Sequence, residues 1–244
     1  MRADDAHAGP WQFGPVTVWR RDHVPGQRGE PQARQVLAEA LGGDPLALPL
    51  VRDPRGRPEL SAALSRFGTG WSHSGGLLLV ALGEGVRLGV DLELLRPRPR
   101  LLEIVRRFFH PAEIQWLESL SGAEREQWFF RVWCAKEAVL KADGQGISFG
   151  LHRLQFAPVE GDLLQLAWCD PALGPAIEAT ATAADPVAAV MALQPGLWAL
   201  HTVLPIVQDS SVVAVGPGVS GAALSGPIEV GIFGDADRWA REVP

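Results

Sequence analysis

Helix-forming residues crowd the middle of this chain and strand patterns flank them, which predicts an α+β fold. Three observations carry that expectation. Gln127 to Asp143 contains no Gly or Pro, is rich in good helix formers and stops at Gly144. Val86 to Leu94 alternates apolar and polar residues strictly, the period of a half-buried strand. From Gly150 onward, short apolar runs are separated by Gly and Pro. Helices followed by strands recur in each half, which is compatible with a duplicated α+β unit.

The elements follow in order. Residues 1–30 read as loop with one strand at Val16–Arg20. A helix is expected over Pro31–Leu41, with the proline in the first turn and Gly42-Gly43 as the stop. Val51 to Pro58 is a turn with three arginines, either solvated surface or a clamp whose guanidinium forks match phosphate oxygens. Leu77–Leu82 and Val86–Leu94 read as the arms of a hairpin around Gly83-Glu84-Gly85-Val86. In the second arm Arg87, Gly89, Asp91 and Glu93 share one face. The hairpin register sets Gly76 opposite Glu93, with Ser72-His73-Ser74 just beyond. Arg96-Pro97-Arg98-Pro99-Arg100 is a stiff polar connector, dividing an N-terminal half, 1–96, from a C-terminal half, 97–244. Helices are expected over Leu101–Phe108, from Pro111 to about Leu120, and over Glu124–Ala142. Strands are expected at Leu163–Cys169, Ala176–Ala183, Leu197–Leu204 and Val212–Val215, with an edge strand at Ile228–Phe233; Ser220–Gly226 reads as flexible.

Composition narrows the function. The chain has 244 residues, 47% hydrophobic and 20% charged, with net charge −6, so it is a folded protein and a poor match for nucleic acid. No apolar signal core opens it and no stretch nears 18 consecutive apolar residues, so the expected setting is the cytoplasm, with no membrane partner. Cys134 and Cys169 have no metal-ligand spacing. Lysine occurs only at Lys136 and Lys141, against 20 arginines. Trp133, Glu137 and Lys141 fall on one helical row, with Glu137 and Lys141 as an i,i+4 pair. That pair is either a solvated salt bridge or half of a site. Asp91 and Glu93 are either the polar side of a half-exposed sheet or hard oxygen ligands whose repulsion a divalent cation such as Mg²⁺ relieves.

Gly89-Val90-Asp91-Leu92-Glu93, followed about forty residues on by Trp133-Cys134-Ala135-Lys136-Glu137-Ala138-Val139-Leu140-Lys141, resembles the signature pair of the Sfp-type 4′-phosphopantetheinyl transferases, in their Trp/Lys-Glu-Ala branch. Gly56-Arg57-Pro58 resembles the family's Gly-Lys-Pro turn, and Trp71-Ser72-His73-Ser74 its Ser-His-Ser segment. Phe108 to Glu113 is similar to its Phe-Phe-x-x-x-Glu element, and Gly144 to Ser148 to its Gly-x-Gly-Leu/Ile-Ser. These stand in family order over roughly residues 50–155.

The resemblance implies a monomer of two pseudo-twofold-related α+β halves with the site between them. It implies an enzyme of the holo-acyl-carrier-protein synthase type, moving the 4′-phosphopantetheine arm of coenzyme A to a carrier serine and leaving adenosine 3′,5′-bisphosphate. The acyl or peptidyl carrier could serve fatty-acid, polyketide or nonribosomal-peptide synthesis. Asp91, Glu93 and Glu137 would hold Mg²⁺ against the diphosphate, and Lys141 would stabilise phosphoryl charge. Either Glu137 or a metal-held water would take the serine proton. Ser72 and His73 would meet coenzyme A, His73 at its 3′-phosphate, with Arg57 and Arg34 as companions and Lys136 as a further phosphate contact. Arg57 replaces the family's lysine, and the last forty residues have no match. Another Mg²⁺-dependent phosphoryl-transfer enzyme, or a carrier-binding module without catalysis, would be the competing readings; no P-loop, kinase loop or zinc motif supports the former.

Overall fold

The computed structural model describes residues 10–13, 16–85, 87–94, 96–158, 164–172, 187–192, 200–203 and 229–232. Their order is β1 (Trp11–Phe13), β2 (Val16–Asp22), α1 (Glu30–Leu41), β3 (Leu50–Arg52), β4 (Pro58–Leu60), β5 (Phe67–Ser74), β6 (Leu77–Glu84), β7 (Arg87–Leu92), α2 (Leu101–Phe108), α3 (Pro111–Ser119), α4 (Gly122–Asp143), β8 (Leu154–Pro158), β9 (Leu164–Cys169), β10 (Val187–Ala192), β11 (Leu200–Val203) and β12 (Glu229–Ile232). This mixture is α+β. No helix among the described residues is long and apolar enough to cross a membrane.

Among the described residues two main sheets form. One runs β1-β2-β6-β5, all antiparallel; the other runs β7-β10-β11-β12-β9-β8, with β7 and β10 parallel; β3 and β4 make a separate ribbon. The helices match expectation closely because their punctuation is local. Pro31 stands in the first turn of α1 and Gly42 caps its end at φ 71°. Gly144 caps α4 at φ 83°, and its N–H donates to the Leu140 carbonyl.

The hairpin did not form as the sequence suggested. β6 pairs with β5 on one side and β2 on the other, and the true hairpin turn is Gly75-Gly76, with Gly75 at φ 58°. β7 leaves that sheet and pairs in register with β10, Gly89 opposite Ala189 and Asp91 opposite Met191. Alternation within a strand says which residues share a face, not which strand lies beside it. Residues 87–92, placed with the N-terminal half in the sequence partition, therefore share a sheet with strands from residues 154–232. The expected strands at 176–183 and 212–215, and the segment 220–226, lie outside the described residues.

Strand β7 is sandwiched. Its Leu88, Val90 and Leu92 are buried, and a side chain on Gly70 of β5 would meet Leu88 and Val90. Its other face lies on α4: a Cβ built on Gly89 would stand 2.0 Å from the Ala138 carbonyl oxygen and 2.5 Å from the Ala142 nitrogen. Two backbones thus approach where only glycine fits. The main core surrounds α4, where Phe129, Phe130, Val132, Ala135, Val139 and Leu140 meet Leu101 and Val105 of α2, Leu117 of α3 and Leu154 and Phe156 of β8. A second core packs Ala33, Val36 and Leu37 of α1 on Leu78, Val80 and Leu82 of β6.

Gly89→Ala should destabilise the protein by roughly 3 kcal/mol or more in urea titration, since the obstruction is backbone rather than a side chain that can rotate away. Gly43→Ala, which would meet nothing within 4 Å, is the control and should change the midpoint little.

Candidate active site

The close seating of β7 on α4 brings together two motifs fifty residues apart. Lys141 Nζ lies 2.5 Å from Asp91 Oδ1 and also donates to Ser72 Oγ and to the Val90 carbonyl, each at 3.2 Å. Ser72 Oγ donates in turn to Asp91 Oδ1 at 3.0 Å. One step along both strands, Ser74 Oγ donates to Glu93 Oε2 at 3.4 Å and accepts from the Leu94 N–H at 3.1 Å. The two serines, two residues apart on β5, hold the two acids, Asp91 near the end of β7 and Glu93 just after it. The convergence expected from a hairpin therefore holds for the two serines and the two acids but not for His73, and it arises across layers.

The acids feel one another. Burial, then Asp91 and Glu93, push the Glu137 carboxyl up to about 7 in spite of the opposing pull of Lys141. Burial and Asp91 also raise Glu93. Burial works against the Lys141 ammonium, but Asp91 and Glu137 more than offset it, so its pKa is raised. Beneath them the buried Cys134 thiol is pushed well above its usual value by burial, with Asp91 and Glu93 adding to the effect.

A divalent cation suits this donor set. Asp91 Oδ2 is buried with no hydrogen-bond partner among the described residues, and hard carboxylate oxygens are what Mg²⁺ takes. A finished cage is not present: among the described residues no three acidic, histidine or cysteine side chains stand grouped as one. Lys141 supplies the local positive charge instead.

Beside Lys141 opens a cavity of about 250 Å³ lined by Arg52, Arg55 and Arg57 from the β3–β4 ribbon, Trp71 of β5, Gly89 of β7 and Gly144 after α4. The arginine turn is therefore a cleft wall. Arg57 is held by its own N–H bond to Asp53 Oδ1 at 2.8 Å, and its stem lies against Gly144. Arg52 bridges Glu30 at 2.6 Å and lies over the Trp71 ring at 5.4 Å. That bond is the main reason the Glu30 carboxyl is held below its usual range.

Ser72, His73 and Arg34, expected to meet coenzyme A, do not line this cleft. Ser72 and His73 are consecutive in a strand, so they face opposite ways; Ser72 is buried between Asp91 and Lys141, while His73 is exposed beside His23, ring centroids 4.5 Å apart. Burial, His23 and Lys141 lower the His73 pKa. His73 is not among the cleft-lining residues. Arg34 spends its donors locally, on Glu30 at 3.1 Å and on the Leu48 and Leu50 carbonyls at 3.2 and 3.4 Å. It fastens α1 to the chain entering β3.

Lys136 is corrected outright as a phosphate contact. Its side chain is fully buried, pointing away from the cleft, with Nζ 2.8 Å from Glu113 Oε2, 2.7 Å from the Leu151 carbonyl and also on the Leu154 carbonyl. Burial lowers it to about 8, against the pull of Glu113. Glu113 in turn accepts from the His110 N–H at 3.0 Å and the Phe156 N–H at 2.7 Å. This joint ties α3, α4 and β8 together. The three-arginine turn was legible as a clamp, but Trp71 as a cleft wall and His23 beside His73 were not expected; the alternation Trp71/His73 on one face of β5 and Ser72/Ser74 on the other is the signal that could have found Trp71.

Residues 87–191 match the profile of the 4′-phosphopantetheinyl transferase superfamily. A Synechocystis protein carrying the 4′-phosphopantetheinyl transferase name is 40% identical over 141 residues, 53% of this chain and 56% of its own. The 4′-phosphopantetheinyl transferase HetI of Nostoc is 38% identical over 138 residues, 55% of this chain and 58% of its own. The 4′-phosphopantetheinyl transferase of Bacillus subtilis is 29% identical over 123 residues, 50% of this chain and 53% of its own. The chain thus spans a little over half the length of these relatives. The resemblance read from the motifs thus extends over residues 87–191, which are similar to 4′-phosphopantetheinyl transferases along that segment.

Lys136→Met should lower stability by roughly 3–5 kcal/mol in thermal or urea unfolding, because it leaves Glu113 buried and unpaired, and adding Glu113→Leu should recover much of that loss. Because Glu137 is raised from 4.5 to about 7, its contribution to stability is full below pH 4.5 and is lost as pH rises through 7. Without divalent cation, the wild-type urea midpoint minus that of Glu137→Gln should therefore fall between pH 5 and pH 8.

Proposed function

We propose that this protein transfers the 4′-phosphopantetheine arm of coenzyme A to a serine of an acyl or peptidyl carrier protein, in a Mg²⁺-dependent reaction. The observation that carries the reading is the Lys141–Asp91 contact at the mouth of an arginine-lined cleft, with the second oxygen of Asp91 buried and unsatisfied. It joins both halves of the family signature at one point.

In the transfer, the serine oxygen attacks the phosphorus that bears pantetheine. The bond from that phosphorus to the bridging diphosphate oxygen breaks, and adenosine 3′,5′-bisphosphate leaves with that oxygen. The serine proton passes to a base. Asp91, Glu93 and Glu137 are the residues that would hold Mg²⁺, which when bound would neutralise diphosphate charge. Lys141, exchanging Asp91 for the phosphoryl oxygens, would stabilise the charge that builds on them. Glu137, with a carboxyl near 7, is matched to accept a proton at neutral pH. Arg52, Arg55 and Arg57 offer guanidinium forks, and Trp71 a ring face, to the nucleotide end of coenzyme A. His73, on the outer face of β5, is assigned the 3′-phosphate, with His23 behind it. Two pseudo-twofold halves meeting at this cleft, acting as a monomer in the cytoplasm, belong to the same reading.

Incubation with coenzyme A, Mg²⁺ and a panel of apo-carriers, followed by intact mass, should show the gain of one phosphopantetheine on at least one carrier, abolished by chelator. Asp91→Ala and Glu137→Ala should lose at least about a hundredfold in turnover, as expected when a group that stabilises transition-state charge is removed. Arg57→Ala should raise KM for coenzyme A with kcat little changed. No gain on any carrier, with coenzyme A still bound, would favour a binding role.

A further inference from the structure

Arg98 belongs to none of the motifs that identify the site, yet its side chain reaches the acidic centre. It stands in the connector between β7 and α2, flanked by Pro97 and Pro99, whose rings restrict the backbone on both sides. Its guanidinium lies over the Phe130 ring at 5.3 Å, and one terminal nitrogen is 3.8 Å from Glu93 Oε2. That separation neutralises charge but is too long for a hydrogen bond. Its Nε is buried with no partner among the described residues. Arg98 is thus half-committed: held in place by ring and prolines, paired in charge, with donors unspent.

The arrangement mirrors Lys141 on Asp91. Among the described residues Asp91 and Glu93 are each paired with a cation, and the two cations come from different elements, α4 and the connector. A divalent cation entering between Asp91, Glu93 and Glu137 competes with both.

We propose that Arg98 is a second cation of the active centre, the resident counter-ion of Glu93 in the metal-free protein and a substrate-phosphate contact once Glu93 turns to a divalent cation. This rests on the transferase reading above. Metal entry would then release two cations, Lys141 and Arg98, at the moment the diphosphate needs them. The fork of a guanidinium suits two phosphate oxygens, which a lysine at this place would not match. The prolines keep the displaced side chain near the centre rather than letting the connector carry it off.

The test uses Mn²⁺ as a spin-resonance probe of the full chain without coenzyme A, together with KM for coenzyme A in the carrier assay. Arg98→Met keeps the apolar stem on Phe130 and removes the charge; Arg98→Gln is a second neutral variant should the first fold poorly; Arg98→Lys keeps the charge. Loss of a unit charge this close to a carboxylate should tighten Mn²⁺ binding by roughly three- to tenfold in the neutral variants. The same variants should raise KM for coenzyme A, whereas Arg98→Lys should keep wild-type Mn²⁺ affinity and only partly restore KM. Mn²⁺ affinity unchanged in the folded neutral variants overturns the counter-ion role, and tighter Mn²⁺ with unchanged KM overturns the substrate role. A wild-type protein that binds no Mn²⁺ and modifies no carrier overturns the transferase reading itself, and this inference with it.

Discussion

The missing side chain of Gly89 sets the distance on which the site depends. A strand and a helix normally stand apart by the length of the side chains between them. Here the backbone of β7 touches that of α4, and any Cβ at Gly89 would collide with Ala138 and Ala142. Asp91, two residues further along the same face, is therefore carried within 2.5 Å of Lys141. The apolar face of the strand, Leu88, Val90 and Leu92, is buried on the other side, so β7 cannot retreat without exposing it.

The two lysines show how adjacent signature residues can do separate work. Lys136 and Lys141 are five apart on α4, so they point in different directions. Lys136 turns inward and closes a joint with Glu113 that also caps α3 and receives the β8 backbone. Lys141 turns to the cleft and answers Asp91. Substituting arginine would not serve at the first position, because a compact ammonium with three donors fits Glu113 and two carbonyls where a planar fork does not. The retention of lysine at these two places, in a chain that otherwise uses arginine, has a stereochemical basis at Lys136.

The acidic centre is held together by the protein's own groups. Burial, and after it the repulsion among the three carboxylates, raises Glu93 and Glu137. Lys141, Arg98 and the hydroxyls of Ser72 and Ser74 relieve that repulsion without filling the second oxygen of Asp91. Among the described residues, one buried carboxylate oxygen of the centre is left without a hydrogen-bond partner.

The sequence by itself determined the helices, because Pro31, Gly42 and Gly144 act within one turn of where they stand, and it determined the face of each strand, because alternation is local. It also named Asp91, Glu93, Glu137, Lys141 and Arg57 as the residues that converge on the cleft and the acidic centre beside it. Only the tertiary structure decided who neighbours whom. It moved β7 out of an expected hairpin into the second sheet, put Ser72 on the acids rather than on a phosphate, withdrew Arg34 to the α1–β3 joint and buried Lys136. Each of these depends on what lies across a strand face or beyond a helix turn. Periodicity records that a side chain is turned inward, but the identity of its partner is set by long-range packing and carries no local signal.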